Sequence, residues 1–61
     1  MKNERIRAAA KETGVRLWEI AERVGITDSN FSRKLRRELP DTEQDRLLAI
    51  IDAIAAEREE A

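Results

Sequence analysis

The chain has 61 residues and contains no histidine and no cysteine, which excludes imidazole or thiol catalysis, disulfide bonds and the common zinc sites. A chain of this length forms one domain, taken as residues 1–61, with a small core that can spare few apolar side chains for a site. Its formal net charge of −1 hides a division: residues 1–37 carry ten basic and five acidic side chains, whereas residues 38–61 carry two basic and eight acidic ones. This division predicts a polyanion-binding face on the first part.

Apolar periodicity and helix-ending residues predict four helices and no strand, so the expected fold class is all-α, a compact four-helix domain. The first helix is expected over about residues 3–13, with Asn3 as its N-cap and Gly14 as its stop. The second is expected over about residues 16–24, and Gly25 after it can adopt the left-handed conformation that ends a helix. Its apolar residues at helical spacing are Leu17, Ile20, Ala21 and Val24.

The third helix, expected over about residues 27–38, carries most of the candidate functional residues. The hydroxyl of Thr27 can cap its first turn, and Pro40 follows its end. Phe31 and Leu35 share the face that turns to the core. The opposite face carries two short polar side chains and three cations, namely Ser29, Asn30, Arg33, Arg36 and Arg37.

The fourth helix is expected over about residues 41–58, where Asp41 followed by Gln44 resembles a reciprocal cap. It has a wide apolar stripe formed by Leu47, Leu48, Ile50, Ile51, Ile54 and Ala55. Three short helices have limited area to cover so wide a stripe. Two interpretations stay open: the stripe completes the core, or part of it forms a two-fold homodimer.

Residues 17–37 combine a short helix, a tight turn and a second short helix without spare residues between them. Ala21 is small where the second helix crosses closely over the first, and Gly25 permits the turn. Ile26 fills the corner, and Phe31 anchors the third helix in the shared core. This arrangement is typical of a helix-turn-helix.

The segment LWEIAERVGITDSNFSRKLRR resembles the phage repressor-like helix-turn-helix domains of the Cro/cI, or XRE, type. Within them it is most similar to small regulators of phages and mobile elements, and the likeness spans about residues 3–58. The chain departs from the family pattern at Arg16 and Leu17, where Thr or Ser and then Gln are more common. Lys34 stands where many relatives have an apolar residue, so Leu35 is expected to pack instead. Many relatives also have five helices.

By position, the resemblance implies that four residues of the third helix read bases in the major groove: Asp28, Ser29, Ser32 and Arg33. Arg33 is the leading candidate for a bidentate contact to guanine, and Asp28 either accepts from cytosine or only caps the helix. The phosphate backbone is assigned to Arg16, Trp18, Thr27, Asn30, Lys34, Arg36 and Arg37. For Trp18, the alternative is that the indole covers the small core.

The sequence therefore predicts sequence-specific binding of double-stranded DNA, either as a small transcriptional regulator or as an isolated or engineered DNA-binding domain. A domain this small is not expected to enclose a cleft lined by a pair of carboxylates. No enzyme activity, cofactor, metal or small-molecule substrate is therefore expected. The alternative function is a protein-interaction module, such as a phage-encoded inhibitor, that uses the basic face to bind an acidic partner. Without a run of about 20 apolar residues, no membrane association is expected, and the predicted location is the prokaryotic cytoplasm, on the nucleoid when DNA is bound.

Overall fold

The computed structural model describes the backbone of residues 2–60 and the side chains of residues 2–58. Four helices form in this range and no strand, which confirms the all-α prediction. Their bounds are α1 Glu4–Thr13, α2 Leu17–Val24, α3 Asp28–Lys34 and α4 Asp41–Glu60. None of the helices in residues 2–60 combines the length and the apolar character needed to cross a membrane.

One core joins the four helices. Helix α4 packs against α1 and α2, and α2 packs against α3. The buried apolar side chains are Ile6, Ala10, Val15, Ile20, Ala21, Phe31, Leu35, Leu39, Leu47, Ile51 and Ile54. Among the described residues, the large apolar side chains left exposed are Trp18, at 50%, and Val24, at 40%. Val24 was expected on the buried face of α2, but it lies in the last turn before the chain leaves the helix.

The apolar stripe of α4 is used within the chain. Leu47, Ile51 and Ile54 are buried, and the other three apolar residues of the stripe, Leu48, Ile50 and Ala55, are partly buried against the same core. Core packing therefore accounts for this stripe, and it leaves little exposed apolar area on α4. The homodimer through this helix stays a prediction.

The turn between α2 and α3 has the geometry that the sequence predicted. Gly25 has φ +92°, a left-handed conformation that costs glycine little. Its N–H donates to the carbonyl of Glu22 at 3.2 Å, and the N–H of Ile26 donates to the carbonyl of Ala21 at 3.1 Å. These two bonds form a Schellman motif, which satisfies carbonyls at the end of α2 and turns the chain toward α3. Thr27 then caps α3 as predicted, since its Oγ1 accepts from the N–H of Asn30 at 3.1 Å.

Helix α3 ends at Lys34, four residues earlier than expected. The N–H groups of Arg36 and Arg37 bond three residues back, to Arg33 and Lys34, at 3.2 and 3.4 Å, which makes a tighter final turn. A continuing helix would give the N–H of Leu39 to the carbonyl of Leu35. Instead, Asn3 takes both groups: its Nδ2 donates to that carbonyl and its Oδ1 accepts from that N–H. A side chain distant in sequence thus ends the helix.

Asn3 and Gln44 do not make the side-chain cap bonds that the sequence predicted, and the reason is the same for both. Asn3 occupies the N-cap position of α1, with φ +59°, but its side chain bonds the segment after α3 and makes no cap bond. Gln44 makes no reciprocal cap with Asp41, because its backbone N–H donates to Pro40 at 2.9 Å and its side chain donates to Leu39 at 2.7 Å. Both amides serve tertiary contacts, which local sequence patterns do not reveal.

Candidate nucleic-acid interface

Helix α3 is oriented by its buried side. Phe31 is 1% exposed and Leu35 is 2% exposed, so one side of the helix is fixed in the core. The periodicity of the helix then turns the opposite side outward. All four residues predicted to read bases are exposed: Ser29 and Arg33 lie on this outward side, and Asp28 and Ser32 lie on a flank of the helix. The turn at Gly25 and the cap at Thr27 set the direction in which this surface faces.

One flank of α3 borders a shallow depression shared with α1 and α2. Asp28 and Ser32 line it together with Arg16 and Trp18 from the start of α2. The structure therefore brings two predicted base-reading residues next to two predicted phosphate-contacting residues. Lys11, which the sequence interpretation did not assign, lines the same depression from the last turn of α1. Its place there depends on how α1 meets α2, so no local motif marks it.

Trp18 lies at the edge of two surfaces. It lines the depression beside α3, and it also lines a groove between α2 and α4 that includes Ile54. With half of its surface exposed, the indole covers the core only in part. The exposed part is available to a bound molecule.

Three arginines on or just after α3 have no partner among the residues that the structure describes. Arg33, Arg36 and Arg37 are exposed, and none of them forms an ion pair or a side-chain hydrogen bond with any residue in the described range. Arg33 lies on the helix, and the other two follow its last turn. Their charges are therefore directed to solvent. All three are exposed cations within five residues of one another, on and just after α3.

The carboxylates of α4 neutralise other cations. Asp45 pairs with Arg5 of α1 at 2.9 Å, and Glu57 pairs with Arg23 of α2 at 2.8 Å. On α3, Lys34 pairs with Glu43 of α4. Each of the first three helices is thus linked to α4 by an ion pair. The acidic second part of the sequence compensates part of the basic first part. Within the described residues, the three arginines stay without an ion pair, as do Lys2, Arg7, Lys11 and Arg16.

Lys34 is separated from the other candidates. It lies on the flank of α3 that faces α4, where it lines a cleft with Arg46 and Leu47. Asp28 and Ser32 lie on the other flank. A phosphate contact by Lys34 requires the ammonium group to exchange Glu43 for the ligand.

The cap at Thr27 leaves the Asp28 side chain available. Because Thr27 Oγ1 accepts from the N–H of Asn30, the cap of α3 is made without Asp28. Within the described residues, the carboxylate of Asp28 and the amide of Asn30 have no side-chain hydrogen bond. Both are exposed polar groups at the start of α3, with their bonding capacity open to a ligand.

The start of α2 is held from two directions. The N–H of Arg16 donates to Glu19 Oε2 at 2.7 Å, and this hydrogen bond, with a second from the Arg58 guanidinium, lowers the pKa of the Glu19 carboxyl. Arg58 also donates to the carbonyl of Gly14 at 2.8 Å. The backbone of Arg16 is thereby fixed, while its side chain is exposed beside the depression.

The site has no donor set for a metal. No group of three or more Asp, Glu, His or Cys side chains in the described part of the chain is arranged to hold one. Comparisons with protein-family models, with curated proteins and with solved structures found no match to this chain.

Proposed function

We propose that this protein binds double-stranded DNA through α3, as a small transcriptional regulator of the phage repressor-like helix-turn-helix type. The observation that carries the proposal is the exposed set of unpaired arginines, Arg33, Arg36 and Arg37, on and just after a short helix held by a Gly25 turn. An α-helix with its side chains is 10–12 Å across, and the major groove is about 12 Å wide. A short helix that is buried on one side can therefore enter the groove with the other.

Different residues have different roles in this proposal. Arg33, in the middle of the outward side, donates two hydrogen bonds to guanine, and Asp28 accepts from cytosine. Ser29 and Ser32, which have short side chains, contact the edges of other bases. Arg36 and Arg37, with Arg16, Trp18, Thr27 and Asn30, bind the phosphates on either side of the groove and set the orientation of α3. On this proposal, the protein acts on the nucleoid of a prokaryotic cytoplasm.

A salt titration tests the proposal directly. Binding to a fluorescently labelled random duplex is measured by anisotropy from about 50 to 200 mM salt, a range over which the three arginines assigned to phosphates predict a loss of roughly 40-fold in affinity. A steep loss is expected. The absence of binding even at the lowest salt would overturn the proposal and favour a protein-interaction module with an acidic partner.

A matched pair of variants separates specific placement from net charge. Arg36→Ala/Arg37→Ala removes two unpaired cations, and Arg5→Ala/Arg23→Ala removes two that are paired with α4. The first variant is expected to weaken duplex binding strongly, and the second is expected to bind almost as the unaltered chain does. Equal losses would mean that α3 has no special part in binding.

Selection of bound duplexes from a random pool then gives the target sequence. A palindromic site with half-sites one helical turn apart would support a dimer on DNA, whereas a single short site would support a monomer.

A further inference from the structure

The segment between α3 and α4 carries two of the unpaired arginines on a backbone that is not helical. Its ends are buried, since Leu35 is 2% exposed and Leu39 is 7% exposed, while Arg36 and Arg37 between them are exposed. The N–H groups of Arg36 and Arg37 still bond to Arg33 and Lys34 in the tight final turn, whereas no bond between main-chain groups of the described residues holds the N–H of Glu38 or Leu39. Contacts with other parts of the chain therefore fix the end of this segment.

Asn3 holds this segment from one side. Its side chain is fully buried, and its Nδ2 donates to the carbonyls of Leu35 and Arg37, both at 2.9 Å. Its Oδ1 accepts from the N–H of Leu39 at 2.9 Å, and its backbone N–H donates to Glu38 Oε1 at 2.6 Å. Both N–H bonds of the amide and its oxygen are used, and all three bonds go to the backbone around the arginines.

Gln44 of α4 holds the same segment from the other side. Its Nε2 donates to the carbonyl of Leu39 at 2.7 Å and to Glu38 Oε2 at 3.3 Å. Gln44 is also buried. The carbonyls of Leu35, Arg37 and Leu39 are thereby satisfied, and the backbone from Leu35 to Leu39 has a defined path.

We infer that Asn3 is a positioning residue for phosphate binding. By fixing the backbone on both sides of Arg36 and at Arg37, it keeps both guanidinium groups in front of the phosphates that flank the groove. Less conformational entropy is then lost when they bind. This inference rests on the proposed DNA binding. It assigns to Asn3 an effect on DNA affinity that is transmitted through two particular arginines.

A double-mutant cycle tests this assignment. Asn3→Gly removes the three side-chain bonds, while glycine keeps the backbone N–H to Glu38 and adopts the φ of +59° without strain. The substitution is made in the unaltered chain, in Arg36→Ala/Arg37→Ala and in Arg16→Ala, whose altered side chain lies at the start of α2. Affinity for a random duplex is measured at a temperature where circular dichroism shows every variant folded.

In the unaltered chain, Asn3→Gly is expected to weaken binding about tenfold, the equivalent of one charge-assisted hydrogen bond, and to lower the salt slope by about 1 to 2. In the Arg36→Ala/Arg37→Ala background the same substitution is expected to cost less than about twofold, because the groups it positions are gone. In the Arg16→Ala background the cost is expected to stay near tenfold.

Other outcomes are distinguishable. An equal cost in all backgrounds would mean that Asn3 acts on the whole fold, which overturns the inference and leaves the proposed function standing. No duplex binding by the unaltered chain overturns both. If Asn3→Gly does not fold, Asn3→Asp takes its place, because aspartate tolerates the positive φ and can accept from Leu39 but cannot donate to the carbonyls of Leu35 and Arg37; the same dependence on background is expected.

Discussion

Arg33 and Lys34 are neighbours in sequence, and they meet different surroundings. Lys34 pairs with Glu43 of α4, as Arg5 and Arg23 pair with other carboxylates of that helix. Arg33 is exposed and has no ion pair in the described part of the chain. Arg36 and Arg37 are also exposed and also have no ion pair there. A count of charges along the chain overstates the basic surface, because a helix of the same protein neutralises part of it.

The comparison of these two groups of cations shows what α4 does for the candidate interface. Its carboxylates pair with cations on the sides of α1, α2 and α3 that face it. On and just after α3, Arg33, Arg36 and Arg37 keep their positive charge, because no carboxylate in the described part of α4 pairs with them. Such a local excess of positive charge orients a polyanion as well as attracting it.

The largest effect is expected when a core side chain that holds α3 in place is truncated. Phe31→Ala is expected to cost about 3–5 kcal/mol, because the ring is fully buried and its loss leaves a cavity. A domain of this length has a total stability of roughly 3–9 kcal/mol, so most of the protein unfolds. Urea denaturation followed by circular dichroism measures this. The matched variant Ser32→Ala, one residue away and exposed, should unfold at nearly the same urea concentration as the unaltered chain.

The next effect concerns base reading by the unpaired group. Arg33→Ala is expected to lose about 1–3 kcal/mol of preference for the selected site over random duplex, with the fold intact. Competition binding with the two duplexes measures this preference. Arg23→Ala, which removes a cation paired with Glu57, should keep it. If the preference survives Arg33→Ala, another residue reads the sequence.

A smaller effect is expected for single phosphate contacts. Arg36→Ala or Arg37→Ala should weaken binding to the selected site and to random duplex by the same factor, because phosphates carry no sequence. The slope of the logarithm of affinity against the logarithm of salt concentration should fall by about 0.9 for each. A change confined to the selected site would assign these arginines to base edges.

The smallest effect is expected within the paired group, and it depends on pH. The Arg23 guanidinium, by a hydrogen bond and by its charge, lowers the pKa of the Glu57 carboxyl. A carboxyl with a lowered folded pKa stabilises the fold above its unfolded value, here 4.5, and this contribution is lost as pH falls through the lower folded value. Arg23→Ala should therefore unfold at slightly less urea at pH 7. The difference from the unaltered chain should disappear at the acid end of the titration, and a difference that persists there would point to lost packing.

Much of the supporting framework was predictable from the sequence. The left-handed Gly25, the Thr27 cap and the burial of Phe31 and Leu35 are local features, and all were expected and confirmed. Such features depend on residues a few positions apart, which periodicity and capping preferences describe directly. The outward surface of α3 follows from them.

The interactions that complete the candidate interface were not predictable in this way. The roles of Asn3 and Gln44, the early end of α3 and the pairing of Lys34 with Glu43 all join residues from different elements. Asn3 and Leu35 are 32 positions apart, and a buried amide can satisfy many alternative backbone groups. The sequence therefore shows no sign of these distant partners, and the positions of Asn3 and Gln44 near helix starts led to their assignment as caps.

The sequence alone determined the four helices, the turn at Gly25 and the faces that the helices bury. These features depend on local conformation and on the spacing of apolar side chains. Only the tertiary structure decided which basic side chains are neutralised by α4 and where α3 stops. Ion pairs and buried hydrogen bonds depend on distances across the core, and those distances exist only after the helices have packed.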